Sequence, residues 1–400
     1  MKRALGVLIA LSLFGLAGRE VVVRISQAKP RPASLILITL DTTRADRLPP
    51  YNAGNPLPAI DRIAREGVVF DRAVAPAPLT LPSHSSLFTG RLPPVHGARV
   101  NAAILGPSLP LFTERLREAG YRTAAFVGSV VLNKARGPAR GFDVYDDVVS
   151  PTGVRRLRRP ASEVIDGAVD WLNRGDMSPF FLWVHLFDAH APYAREAFEA
   201  SPSGDPYAGA IAIMDAQIGR LLTALEKRQQ LERTAIVVTA DHGESLGDHG
   251  EQGHGIFVYE SALRVPLIVR WPGVTPRRVT DLAQIIDIAP TVLDLEGLPG
   301  PAMEGVSLSA VIRGRRGEPR DRIAYAESMY PLQYGWSALR TVRQGRFKFI
   351  EAPRSELYDL ESDPDEARNL HDTQPATSAR LLTLIRTFGP AELSASPPGD

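Results

Sequence analysis

Two acidic residues stand just beyond apolar runs that read as strands. Asp41 follows Leu35–Leu40, and Asp241, with His242 directly after it, follows Ala235–Ala240. In an open α/β sheet the ligand crevice lies outside the carboxyl ends of the strands, so residues far apart in the chain converge there. Two carboxylates and an imidazole suit a divalent cation, and the mixed donor set favours Zn²⁺ or Mn²⁺, with Ca²⁺ still open. Without a cation the two carboxylates would repel, and one would hold a proton. Taken singly, a strand-end aspartate is more often a helix cap or a turn residue. Only the three together point to a metal.

The elements that must position them are legible in the hydrophobic pattern. Ser34–Leu40 is a continuous apolar, β-branched run, the pattern of a strand buried on both faces. Similar runs recur at Thr123–Val127, Phe180–Leu186, Ala235–Ala240 and Pro266–Arg270. Helical patterns lie between them near Leu57–Glu66, Leu109–Ala119, Glu163–Leu172, Tyr207–Lys227 and Ile285–Leu295. Such alternation implies an α/β fold, a large mixed and mostly parallel sheet sandwiched by helices. After about residue 300 the pattern changes. Val342–Ile350 alternates around Gly345 as a hairpin, and Ala376–Thr387 reads as a terminal helix. The expected organisation is an export segment and linker over 1–33, a catalytic domain over 34–300, a small α+β subdomain over 301–390 and a disordered tail over 391–400.

Three motifs carry a resemblance. The segment Ala77-Pro78-Leu79-Thr80-Leu81-Pro82-Ser83-His84, continuing Ser85-Ser86-Leu87-Phe88-Thr89-Gly90-Arg91, resembles the signature of the sulfatase family. There, a cysteine followed by x-Pro-x-Arg becomes formylglycine. Asp41-Thr42-Thr43-Arg44-Ala45-Asp46 and Asp241-His242-Gly243-Glu244, with His249 and the glycine-flanked His254 beyond, resemble metal segments of the sulfatase and alkaline phosphatase superfamily. All three occur in the family's chain order, and the likeness runs over about residues 34–370. It implies an alkaline phosphatase-like fold and hydrolysis of a small anionic ester. It also implies one divalent metal on Asp41, Thr80, Asp241 and His242.

Further site residues follow from the resemblance position by position. His190 matches a histidine that touches the anion or the leaving oxygen. Asn101 resembles an asparagine that phosphonate and phosphodiester hydrolases place on the substrate oxygens. His254 stands where those hydrolases carry a lysine, with His249 competing for the role, and both would face the substrate. His84 takes the place of an arginine beside the nucleophile. The family's Gly-Lys-x-His segment reads Gly128-Ser129-Val130-Val131 here. His96, Asp215 and Gly219 read as structural.

Thr80 is the main departure, because the chain has no cysteine and so no formylglycine. A threonine hydroxyl is a poor nucleophile unless a base or a metal lowers its pKa. Its ester cannot collapse to an aldehyde, so water must attack phosphorus or sulfur directly. That chemistry favours phosphate or phosphonate hydrolysis over sulfate. A phosphoryl-group transferase and a catalytically weak metal- and anion-binding relative are the alternatives.

Composition adds little. A net charge of +1 and 44% hydrophobic residues give no sign of nucleic-acid binding. The basic run Arg155–Arg159 reads as a solvated loop. Lys2 and Arg3 before the apolar stretch Ala4–Gly18 read as a secretory signal or, equally, as a single membrane anchor somewhat short of the ~20 residues a span needs. Either implies export to the periplasm or beyond. Zero cysteine excludes disulfides.

Overall fold

The run Ser34–Leu40 is buried at every residue because it lies in the middle of a nine-stranded sheet. The computed structural model describes residues 34–52, 56–147, 157–201, 203–315 and 322–390. The expected export segment, the start of the basic run and the tail lie outside the described residues.

The main strands are β1 (Ser34–Leu40), β2 (Val68–Val74), β3 (Arg122–Val127), β4 (Val144–Asp146), β5 (Phe180–Leu186), β6 (Thr234–Thr239), β7 (Leu267–Arg270) and β8 (Arg277–Gln284). Their order is β8-β2-β7-β6-β1-β5-β3-β4, with the short strand Arg264–Val265 paired to β2. β1 runs parallel to both β5 and β6, and β3 is parallel to β4 and β5. β7 is antiparallel to β6 and β2, while β8 is parallel to β2. The sheet is therefore mixed and mostly parallel, as its sequence pattern implies. β2 and β8 escape that pattern because Asp71-Arg72 interrupts one, and the other, RRVTDLAQ, is an edge strand with polar residues facing out.

Alternation along β1 divides its apolar residues between the two faces. Leu35 and Leu37 join a core with α2 (Thr80–Thr89), α3 (Phe112–Glu118) and α6 (Ile288–Glu296). Ile36, Ile38 and Leu40 face α1 (Pro58–Arg65), α4 (Ala161–Arg174) and α5 (Pro206–Lys227). Each such side chain contributes about 1.5–3 kcal/mol on burial, enough to fix the register of the strand that carries Asp41. The 22-residue α5 is apolar and long enough to cross a membrane, yet it packs on α1 and α4 as a core helix. Its Asp215 carboxylate accepts from the Ala59 and Ile60 amides (3.2 and 2.8 Å), capping α1.

A second, antiparallel sheet holds β9 (Ile323–Ser328), β10 (Leu339–Gln344), β11 (Phe347–Glu351) and β12 (Glu356–Asp359). α7 (Pro375–Arg386) lays Leu381 and Ile385 on it. This is the α+β region expected after the catalytic segment, and it shares one compact unit with the main sheet. The join is electrostatic as well as apolar. Arg99 donates two 2.7 Å bonds to the Glu327 carboxylate, which also accepts from the Tyr325 hydroxyl at 2.6 Å. Arg99 and Glu327 are buried, so removing one strands the other's charge. Arg99→Met is expected to cost about 3–5 kcal/mol in denaturant unfolding, and a cost below ~1 kcal/mol would show that the pair does not hold the sheets together.

Candidate active site

β6, β1 and β5 are neighbours, and their carboxyl ends deliver the site. Thr39 lies level with Thr239 on one side and with His185 on the other. Asp41 emerges directly after β1, Asp241-His242 after β6, and His190 after β5. One oxygen or nitrogen from each of Asp41, Asp241 and His242 lies within 4.8 Å of the others, and all three residues are fully buried.

Backbone and side-chain contacts aim these groups. Asp241 Oδ1 accepts from the His242 amide (2.9 Å) and the Thr42 amide (3.3 Å). Thr42 reaches it from a left-handed conformation, φ 54°, which for a β-branched residue costs about 1–3 kcal/mol. Tyr207, on α5, supports that loop by donating to the Thr42 carbonyl at 2.6 Å. His242 Nδ1 donates to the Gly243 carbonyl at 2.9 Å, which leaves Nε2 with its lone pair. Gly243 must be glycine, because a Cβ there would lie 2.1 Å from the Ser261 carbonyl oxygen.

Asp41 Oδ1, Asp241 Oδ2 and His242 Nε2 are among the buried side-chain atoms that have no hydrogen bond. Each is a lone-pair donor, and unpaired buried polar atoms are costly. Together they form the donor set of a divalent cation rather than of a hydrogen-bond network. The second oxygen of Asp41 faces His185, 3.1 Å from Nε2. Burial opposes ionisation of Asp41, but that bond and the surrounding imidazoles outweigh it and hold the carboxyl well below its usual range. Asp241 goes the other way, pushed up by burial and then by Asp41. Burial, then His254, pushes His242 well down, consistent with a neutral ligand.

Thr80 opens α2. Its hydroxyl donates to Asp41 Oδ2 over a long 3.4 Å. The helix begins at Thr80 itself, with Pro82 in its first turn. Asn101 Oδ1 accepts from the Leu81 amide at 3.0 Å, tying Asn101 to the start of α2. Beyond Thr80 lie two imidazoles, His190 and His254, with Nε2 atoms 3.2 Å apart. His254 Nδ1 donates to the Pro78 carbonyl (3.1 Å) and His190 Nδ1 to the Ala191 carbonyl (2.5 Å). With both Nδ1 protonated, the Nε2 contact is a hydrogen bond only if the pair carries one extra proton. Burial and then His190 push His254 down to about 4.

Two residues expected to face the substrate are engaged in other contacts, although His84 Nδ1 stays 3.7 Å from Asp241 Oδ2. His84 is fully buried under Thr80: Nδ1 donates to the Thr80 carbonyl (2.8 Å) and Nε2 accepts from the Thr39 hydroxyl (3.1 Å). Both nitrogens are occupied, and burial followed by His185 pushes it down to about 3, so it supports α2 rather than the substrate. His249 sits in a left-handed turn, φ 51°, between Gly247 and Gly250. The turn directs its ring outward, where it stacks on Tyr259 (3.6 Å) and meets the Asp365 carbonyl (3.1 Å). His254 therefore takes the place beside His190. His96 is structural, bonded to Ser86 and to the Ala98 amide.

Residues 33–298 match the family Sulfatase, and 247–384 match the family N-sulphoglucosamine sulphohydrolase, C-terminal. The chain belongs to the sulfatase family. It is 26% identical to an N-acetylglucosamine-6-O-sulfatase of Bacteroides thetaiotaomicron over 78% of each chain. It is 24% identical to arylsulfatase A of Homo sapiens over 92% of this chain and 91% of that one. In three dimensions it is similar to a phosphonate monoester hydrolase of Agrobacterium radiobacter: TM-score 0.73, 22% identity, covering 90% and 95% of the two chains. The chain is thus an ester hydrolase of the sulfatase and alkaline phosphatase superfamily.

This sulfatase-family site holds two residues that sequence reading missed. His185 is a polar residue inside the apolar run Phe180–Leu186, the one signal that could have exposed it. Glu244 is buried with Oε1 unpartnered, and burial, then Asp41 and Glu251, push it up to about 8.

Proposed function

We propose that this hydrolase is exported and cleaves a phosphate ester or a close analogue through attack by the Thr80 hydroxyl. The observation that carries the reading is the set of three unpartnered donors, Asp41 Oδ1, Asp241 Oδ2 and His242 Nε2, beside that hydroxyl. Asp41, Asp241 and His242 would hold one Zn²⁺ or Mn²⁺, with Thr80 completing the set. Such an ion lowers the pKa of a hydroxyl within its reach and offsets charge on the substrate oxygens.

The chain's own residues supply the rest. The start of α2 presents Thr80 at a positive helix end, where an anionic tetrahedral group is favoured. The Asn101 NH₂ can donate to an anion oxygen. The His190–His254 pair can release its shared proton to the departing alkoxide, and neutral His254 can then take a proton from the attacking water. In the first displacement the Thr80 oxygen gives its proton to Asp41 Oδ2, its hydrogen-bond acceptor, and bonds to phosphorus as the ester oxygen leaves with the proton of the histidine pair. In the second, water displaces the Thr80 oxygen, which takes its own proton back. A threonine ester leaves only through such attack, which phosphorus tolerates through a loose transition state. Phosphate is therefore preferred over sulfate, whatever the sulfate-cleaving relatives act on.

The test is turnover of p-nitrophenyl phosphate, bis-p-nitrophenyl phosphate and p-nitrophenyl sulfate with Zn²⁺ or Mn²⁺. The phosphate esters should react faster; a strong sulfate preference or silence on all three would count against the reading. His254→Ala should lower kcat about 10²–10³-fold on an alkyl ester. It should cost far less on the p-nitrophenyl ester, whose leaving group needs little protonation. Equal losses on both would remove His254 from proton delivery.

A further inference from the structure

Edge strand β8 carries a bulge. Val279 lies level with Phe70 and Leu282 with Arg72, so Thr280 and Asp281 stand opposite the single residue Asp71. Bulges gather at sheet edges and beside binding sites, where they re-aim side chains. Here, between β8 and the turn joining β10 to β11, a cavity of about 350 Å³ opens, within the size range of small-molecule sites. β8 is four strands from β1, about 19 Å across the sheet, so the cavity is separate from the candidate active site. Part of its lining is apolar: Phe70, Val279 and Leu308 belong to the main core, and Val311 packs against it. The rest carries four guanidinium groups against the carboxylates of Asp281 and Glu361. Two of the four are spent, Arg322 on Asp287 and the Leu282 carbonyl, Arg346 on Asp359. The other two are not. Arg343 is only 8% exposed, yet it donates only from Nη1, to Glu260 Oε2 at 3.1 Å, and its buried Nε has no partner among the described residues. Arg72 makes no side-chain hydrogen bond among the described residues, and its ion pair with Glu361 is 3.9 Å long.

We infer that this cavity is a second ligand site, independent of hydrolysis at Thr80, and that it takes an amphipathic carboxylate. The head group would lie on Arg72 and Arg343, and the apolar body on Phe70, Val279 and Leu308. A buried guanidinium N–H without an acceptor is costly, and a carboxylate matches the fork of donors that arginine presents. The lining's own acids do not supply that match. Glu361 stays 3.8 Å from Arg346 and 3.9 Å from Arg72, and Asp281 is exposed. Those same two acids oppose a second negative charge, which favours a carboxylate over a phosphate dianion. A cation would meet a surplus of positive charge. A small inorganic anion would leave the apolar lining against water, and an uncharged alcohol would leave the guanidinium donors unmatched.

The test is calorimetric titration of the metal-loaded protein with octanoate, acetate, 1-octanol and octylammonium. Octanoate should saturate a single site and bind roughly tenfold or more tighter than acetate, which lacks the apolar body, and than the two probes that lack the anion. Arg72→Ala should weaken octanoate about tenfold. Arg343→Lys keeps a cation for Glu260 but loses the Nε donor, and should weaken it by a similar factor. Val311→Trp fills the apolar end, leaves every charge in place and should abolish binding. Val311 is partly exposed and the Arg72 side chain is 40% exposed, so these two variants should melt near the parent and report even if Arg343→Lys disturbs the fold. Absence of saturable octanoate binding or equal affinity for acetate or 1-octanol would overturn the inference. So would affinity unchanged by Arg72→Ala and Val311→Trp, or loss of octanoate binding when chelator removes the metal, which would place the ligand in the active site instead.

Discussion

Thr80→Ala should reduce kcat by about 10³–10⁶-fold, the range seen when the attacking side chain of a hydrolase is removed, with the fold and the bound metal retained. Thr80 contributes one oxygen at the start of α2 and makes a single long bond to Asp41, so little of the structure depends on it. Thr80→Ser keeps a hydroxyl, now primary rather than secondary, in the same place and should lose far less than the alanine variant. Steady-state kinetics on the phosphate panel, with metal content measured on the same samples, checks both. An alanine variant within about tenfold of the parent would mean that water, not Thr80, attacks.

The second large effect concerns the ligand set. Asp241→Asn should reduce bound metal from about one ion per chain to near none and take activity with it. Its stability signature is opposite in sign between metal-loaded and metal-free protein. Without an ion, Asp41 and Asp241 are two buried carboxyls that oppose each other's charge, one held down and one pushed up. Asparagine removes that conflict. Metal-free Asp241→Asn should then melt no lower than metal-free parent, while the loaded parent should exceed both by about 2.7 kcal/mol at a hundredfold excess of ion over its Kd. Because Asp241 must release its proton to accept an ion, affinity should rise with pH. Melting curves with and without chelator decide this. A parent indifferent to chelator would show that the three donors hold no ion.

The parts of this molecule that follow local rules are legible in the amino-acid pattern. β1, β5 and β6 are short apolar runs between polar breaks, so the positions of Asp41 and Asp241 at strand ends follow from pattern alone, whereas His190 comes from the family resemblance. The rest depends on what packs beside what. His84 stands in the nucleophile segment and His254 far along the chain, yet the first has both nitrogens consumed beneath α2 and the second faces His190 across the site. Nearness to Thr80 in sequence does not pick out the histidine of the site. His249 and His254 sit in similar glycine-rich surroundings, and only the turn at Gly247–Gly250 sends the first outward. His185 is hidden because an apolar strand reads as core, although its place level with Thr39 puts it against Asp41.

The stereochemical course at the transferred atom most directly tests whether a side-chain oxygen is the attacking group. With an isotopically chiral phosphate ester and the metal-loaded enzyme, two successive in-line displacements through Thr80 predict retention of configuration. Inversion would mean a single attack by water, and Thr80 would then be no more than a neighbour of the metal.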